Sequence, residues 1–294
     1  MALAGLLGEM TPAEFIEQYF LKLPFSRTGG CADLCELGGS EVLREVLASA
    51  EADVQVVRQG ERWPEQRVPS FEEAAALHRE GYTVLVRHAE RHHPKLAALA
   101  AGFQREFAAP VDVHLYWTPP QTHGFGWHYD AEDVFILQTQ GTKDYSLRKN
   151  TVNPWPLEET LPRDMKFERE VMPAFHCRLS AGDWLYIPNG YWHMARAEES
   201  SLSLAVGLMC PTALDVFDAI REGLPFDLLW RQRLPIVGEA AGLSSDELHA
   251  RYRALFAQLA ASLTETLENE AFREMFVKRT GEETSRRTAS RDPD

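Results

Sequence analysis

The most informative run of chemistry-bearing residues is Gly124-Phe125-Gly126-Trp127-His128-Tyr129-Asp130. Along an extended segment alternate side chains share a face, so His128 and Asp130 are expected to project together, an imidazole beside a carboxylate. Such a pair offers two ligands to a divalent metal. The best candidate for a third is His193, in Gly190-Tyr191-Trp192-His193. Two imidazoles and one carboxylate on one face of an octahedron hold Fe(II) and leave three positions for a cosubstrate and O2. In a chain with ten histidines the His-x-Asp spacing alone is a weak signal. Its plain alternative is a polar strand pair beside a satisfied histidine.

The elements that must position these residues are short and β-rich. Val, Ile, Tyr and Thr runs broken by Gly, Pro, Asn and Asp mark strands at residues 82–86, 112–118, 127–130, 134–140, 143–148, 176–179, 184–187 and 201–208, which suggests a barrel or sandwich. Before them the pattern is mostly helical. Thr11-Pro12-Ala13-Glu14 is a capped start, followed by an apolar stripe from Phe15 to Leu23 that Pro24 ends. Further helices are expected at 41–50, 71–79 and 93–107, with a strand at 53–58. After the strands the helical period returns, with Leu214, Phe217, Ile220 and Leu224 in one stripe. A second helix is capped at Ser244-Ser245-Asp246-Glu247 and runs through Leu255, Leu259, Leu263 and Leu267. The organisation expected is an N-terminal helical or mixed region over 1–80, a β core over 81–210, a helical region over 211–280 and a disordered polar tail over 281–294.

Composition narrows the partners. The 294 residues carry 44 acidic against 30 basic side chains, a net charge of −14. That balance argues against a surface built to neutralise nucleic-acid phosphates and leaves a basic protein or peptide open. No stretch reaches the roughly 20 apolar residues of a membrane span, and the first ten residues lack the basic start of a secretory signal. Cys31, Cys35, Cys177 and Cys210 are too sparse for a disulfide scaffold. They read as free thiols, placing the protein in a reducing cytoplasm.

Three blocks, HYDAEDVFILQTQGTK from His128, LSAGDWLYIPNGYWH from Leu179 and SLSLAVGL from Ser201, resemble the JmjC branch of the cupin-like 2-oxoglutarate oxygenases. The first block looks most like the ribosomal oxygenases, and the resemblance covers about residues 80–210. It implies a double-stranded β-helix core with His128, Asp130 and His193 as the iron ligands. Lys143 matches the basic residue that pairs with the distal carboxylate of 2-oxoglutarate, and a Lys facing into a barrel is costly unless it meets an anion. The plain alternative for Lys143 is a solvated residue after the Gly141 turn. Tyr116 matches a tyrosine that, in the ribosomal-oxygenase group, donates its hydroxyl to the same carboxylate; a strand tyrosine is otherwise core packing. Where the family often carries a threonine facing the cosubstrate this chain has Ala205, and Ser203, on the same face, is the substitute candidate. Gln138 is expected to point into the barrel.

The resemblance implies an Fe(II)- and 2-oxoglutarate-dependent dioxygenase that couples O2 use to decarboxylation of 2-oxoglutarate to succinate and hydroxylates a protein or peptide side chain. The same chemistry on a small molecule, such as a free amino acid or a natural-product intermediate, is the first alternative. A non-catalytic metal-binding cupin is the second. The relatives add a helical dimerisation region and a C-terminal winged helix. Here the residues after the core have room for a dimerisation bundle and little more, so a homodimer through Thr212–Phe276 is expected.

Overall fold

The computed structural model describes residues 3–65, 67–162, 165, 174–238 and 242–289, with side chains to residue 280. They divide into two compact units, one through Cys210 and one over Pro211–Arg286.

In the first unit, α1 (Leu3–Leu7), α2 (Pro12–Gln18), β1 (Phe25–Arg27), α3 (Ser40–Leu47), β2 (Asp53–Arg58), β3 (Glu61–Arg62) and α4 (Phe71–Arg79) precede the β core. The core runs β4 (Thr83–Arg87), α5 (Pro94–Phe107), β5 (Val111–Thr118), β6 (Asp133–Gln140), β7 (Lys143–Arg148), β8 (Phe175–Leu179), β9 (Trp184–Ile187), β10 (Trp192–Ala197) and β11 (Ser201–Leu208). Eight strands form one antiparallel sheet in the order β1-β9-β6-β11-β5-β4-β2-β3, and three form a second in the order β10-β7-β8. This is the double-stranded β-helix expected.

Alternation along the strands builds two cores. One face of the large sheet, with Val113, Leu115, Phe135, Leu137, Trp184, Tyr186 and Leu204, packs against the helices. Phe15 of α2 is fully buried there, edge-on to Tyr186 at 5.2 Å and tilted on Phe135 at 5.9 Å. Trp184 Nε1 donates to Leu6 O at 2.9 Å, tying α1 to β9. The other face, with Val134, Ile136, Leu185, Ile187 and Ala205, meets Tyr145, Leu147 and Leu179 of the small sheet and lines the barrel interior.

Several local expectations are corrected. The Phe15–Leu23 stripe ends as helix at Gln18, and Leu21 takes a left-handed φ of 60°. The backbone turns so that the Leu21 N–H reaches Tyr186 Oη at 2.8 Å. Residues 127–130 form no strand; His128 makes only an isolated antiparallel bridge to His193. The strand carrying His193, β10, has no alternating apolar signal, because its residues Met194, Ala195 and Arg196 give none. Strands β1 and β3 are equally silent in sequence, being only three and two residues long.

The second unit contains α6 (Ala213–Gly223), α7 (Leu228–Arg231), α8 (Ser245–Glu268) and α9 (Glu270–Ala289). Capping boxes start α6 at Thr212/Asp215 and α8 at Ser244/Glu247, as the sequence motif predicts for α8. Where disorder was expected from residue 281, α9 continues to Ala289. Residues 290–294 lie outside the described residues.

Candidate metal centre and its pocket

His128 sits in the irregular stretch between β5 and β6, and its backbone pairs with His193 through two hydrogen bonds, His128 N to His193 O at 3.1 Å and His193 N to His128 O at 2.7 Å. This pairing, rather than a continuous strand, aims both rings to one side, with centroids 4.2 Å apart. Asp130 follows in the same stretch, held by its carbonyl, which accepts from Gly190 N–H at 2.9 Å. Donor atoms of His128, Asp130 and His193 lie within 4.8 Å of one another, and Asp130 Oδ2 is 3.4 Å from His193 Nε2.

The donor set fits a divalent metal. Each imidazole has Nδ1 against a nearby backbone carbonyl, His128 to Gly126 at 2.8 Å and His193 to Tyr191 at 3.0 Å. Protons on both Nδ1 atoms leave both Nε2 lone pairs to converge on the carboxylate, the orienting device typical of ligating histidines. Burial, and then the neighbouring His128, pull the His193 pKa down to about 4, so the ring is in its neutral, ligating form at ordinary pH.

Lys143 opens β7 on the opposite wall. Along that strand Lys143, Tyr145 and Leu147 point inward, and Leu147 pairs with His193 on β10. Lys143 therefore shares the inner face with His193, about 13 Å farther along the strand. It is 4% exposed, and burial draws its pKa down to about 7. Its ammonium donates to Ser203 Oγ at 2.9 Å and lies 5.6 Å from the Tyr116 ring centroid. Ser203 pairs with Tyr116 on β5 and with Gln138 on β6, so the three stand in one inward row. Gln138, fully buried, donates through Nε2 to Gln140 O at 2.7 Å and Leu202 O at 3.3 Å, bracing the turn that introduces Lys143. Asp183 holds its tight turn by accepting from Ser180 N and Gly29 N at 2.9 and 2.8 Å. Ala205 lines the barrel without a polar group.

Sequence reasoning missed the polar strip beside the centre. Asp112 and His114 alternate with Tyr116 along β5, a period-two signal that points all three to one face. Asp112 pairs with Gly207 of β11, and a side chain at Gly207 would collide with the Glu132 carboxyl. Burial, then Asp130 and Asp112, push the Glu132 pKa up to about 8. The strip thus gathers the carboxyl groups of Asp112, Asp130 and Glu132.

Residues 86–216 match the family model for the JmjC domain; with the two-sheet barrel around them, they form a JmjC domain of the cupin-like 2-oxoglutarate oxygenase class. The chain is also similar in sequence to longer proteins. It is 33% identical over 129 residues to the bifunctional lysine-specific demethylase and histidyl-hydroxylase NO66 of Drosophila mojavensis, covering 44% of this chain and 14% of that protein. It is 31% identical over 172 residues to the protein of that name from Dictyostelium discoideum, covering 51% and 33%. The chain thus spans a third or less of the length of these relatives. In fold it is similar to the Escherichia coli ribosomal oxygenase YcfD, with a TM-score of 0.59 at 20% identity over 85% of this chain and 66% of that one. The structure of YcfD with cobalt and 2-oxoglutarate gives a TM-score of 0.60 at 18% identity over 92% and 71%.

Proposed function

We propose that the chain is an Fe(II)- and 2-oxoglutarate-dependent oxygenase that hydroxylates a protein or peptide side chain. The observation that carries this reading is the placement of Lys143: a buried amine with no anionic partner among the described residues, on the same inner face as His193. An inner face with a metal triad at one end and a lone buried cation farther along it suits a ligand that chelates at one end and carries a carboxylate at the other. When bound, Fe(II) with 2-oxoglutarate and O2 supplies the oxidising power that hydroxylates a C–H bond as 2-oxoglutarate goes to succinate. His128, Asp130 and His193 hold the metal. Lys143 and Ser203 bind the distal carboxylate, Tyr116 closes that end, and the apolar walls of Ile136, Leu147 and Leu185 exclude water.

A polypeptide substrate is supported by the relatives, whose names refer to lysine, histidine and ribosomal targets. It is also supported by the net charge of −14, which favours a basic segment over nucleic acid. The helical unit after the core is read as a dimerisation region. On α8, Phe256, Leu263 and Leu267 share one face by their spacing, and Phe256 and Leu267 remain 58% and 49% exposed. The four cysteines are free, which supports a reducing, cytoplasmic setting. Among the described residues no helix is long and apolar enough to cross a membrane.

The test is succinate formation by anaerobically loaded protein on admission of O2, with Fe(II), 2-oxoglutarate and cell lysate as substrate source. Turnover that is lost in His128→Ala supports the reading. Absence of metal-dependent turnover contradicts it, and turnover stimulated only by small molecules redirects it to them.

A further inference from the structure

A second group of metal-type donors lies where β4 ends and β5 begins. Donor atoms of His88, Glu90 and Asp112 fall within 4.8 Å of one another. His88 takes a left-handed conformation, φ 50° and ψ 40°, just after β4. This turns its ring onto β5, where Nδ1 stands 3.1 Å from Asp112 Oδ1. Glu90 follows in a short 3-10 turn and is 9% exposed. Its Oε2 accepts from Val113 N–H at 2.9 Å.

Three buried atoms here lack hydrogen-bond partners, one of them His88 Nδ1 despite its approach to Asp112. Glu90 Oε1 has none; the nearest cation, Arg91 Nε, stands 3.6 Å away, beyond hydrogen-bonding range. His114 Nε2 has none either, and its ring lies edge-on to His88 with centroids 5.6 Å apart. Orphaned buried polar atoms are costly and uncommon. Burial, with Asp112 nearby, pushes the Glu90 pKa up, while burial lowers that of His114 to about 4. The cluster therefore sets two close carboxyl groups beside the neutral imidazole of His114.

We propose that His88, Glu90 and Asp112 form a second divalent-metal site, separate from the His128, Asp130 and His193 centre. Mixed imidazole and carboxylate donors suit Zn(II), or Mn(II) as the harder competitor. Bonds of about 2.0–2.1 Å place tetrahedral donors about 3.4 Å apart, so the group closes by little more than about 1 Å. A bound ion neutralises both carboxylates and fastens the end of β4 and its following turn to β5, the strand that also carries Tyr116. The role is structural, and it stands independently of the proposed activity.

The test is equilibrium dialysis of the full chain, stripped with chelator, against Zn(II), with folding of each variant checked by circular dichroism. Two equivalents are expected for the wild type, and one for either His128→Ala or the pair Glu90→Gln with Asp112→Asn. His88→Gln, a milder change, is expected to weaken one equivalent by about tenfold or more and leave the other unchanged. Zinc at one equivalent that vanishes in His128→Ala overturns the proposal, as does retention of two full-affinity equivalents in the folded 88, 90 or 112 variants. One equivalent that survives in His128→Ala but is lost in the Glu90/Asp112 pair supports the second site and removes the first.

Discussion

Lys143 Nζ donates to Ser203 Oγ at 2.9 Å, a bond that crosses the barrel from the three-stranded sheet to the eight-stranded one. It puts a cation in the pocket's depth with a hydroxyl as its only hydrogen-bond partner among the described residues. That arrangement costs stability in the empty protein and gains its return when a carboxylate enters.

The return is pH-dependent. Burial lowers the amine's pKa from 10.5 to about 7, so between those values the unfolded chain holds a proton that the folded, empty one releases. Stability of the empty protein should therefore rise with pH across that window, this group contributing its full cost below about pH 7. A bound dicarboxylate demands the charged amine. The dissociation constant for 2-oxoglutarate, measured by calorimetry with Mn(II) present, should increase above pH 7 by up to about tenfold per unit, with proton uptake on binding. A flat profile from pH 7 to 9 would remove Lys143 from the carboxylate.

Lys143→Met should move stability and binding in opposite directions. Replacing a buried unpaired amine with an apolar chain of similar length should stabilise the metal-free protein by about 1 kcal/mol or more, read as a higher Tm. The 2-oxoglutarate requirement should rise at least about a hundredfold, while metal stoichiometry at the triad stays unchanged. Loss of metal together with cosubstrate would show that Lys143 supports the centre itself.

Ser203→Ala removes one hydrogen bond to a charged group, worth about 1.5–3 kcal/mol. KM for 2-oxoglutarate should increase by about tenfold or more with kcat little changed. An unchanged KM would leave Ser203 as Lys143's holder rather than a contact of the cosubstrate.

Gly190 is where local backbone and metal centre meet. It has φ +75°, and a Cβ there would stand 2.7 Å from Pro154 O, while its N–H holds Asp130 O at 2.9 Å. Gly190→Ala should cost about 1–3 kcal/mol through strain and weaken metal binding, because Asp130 shifts with the turn. Wild-type metal affinity in a destabilised Gly190→Ala protein would separate the two effects.

The exposed face of α8 should mediate self-association. Light scattering at concentrations above micromolar should give a dimer mass for the chain and a monomer mass for Phe256→Asp with Leu267→Asp. A monomeric wild type under those conditions would exclude the dimer.

The sequence by itself determined the chemistry-bearing types and most of the frame. Short strand-like runs bounded by turn residues such as Gly141, Asn150, Gly182 and Pro188 specify β7, β9 and β11 to the residue, and the Ser244/Glu247 box specifies the start of α8, because turn chemistry and capping are local properties of the chain. The His128-x-Asp130 pair was legible in the chain itself, while the role of Lys143 came with the family resemblance. Tertiary structure alone decided how those residues meet. His128 faces His193 through a two-bond backbone bridge rather than a strand, and β10 exists by pairing with β7 instead of by its own pattern. The grouping of His88, Glu90 and Asp112 and the covering of Gly207 by Glu132 also depend on which strands become neighbours. Such contacts join residues far apart in the chain, and no local periodicity encodes them.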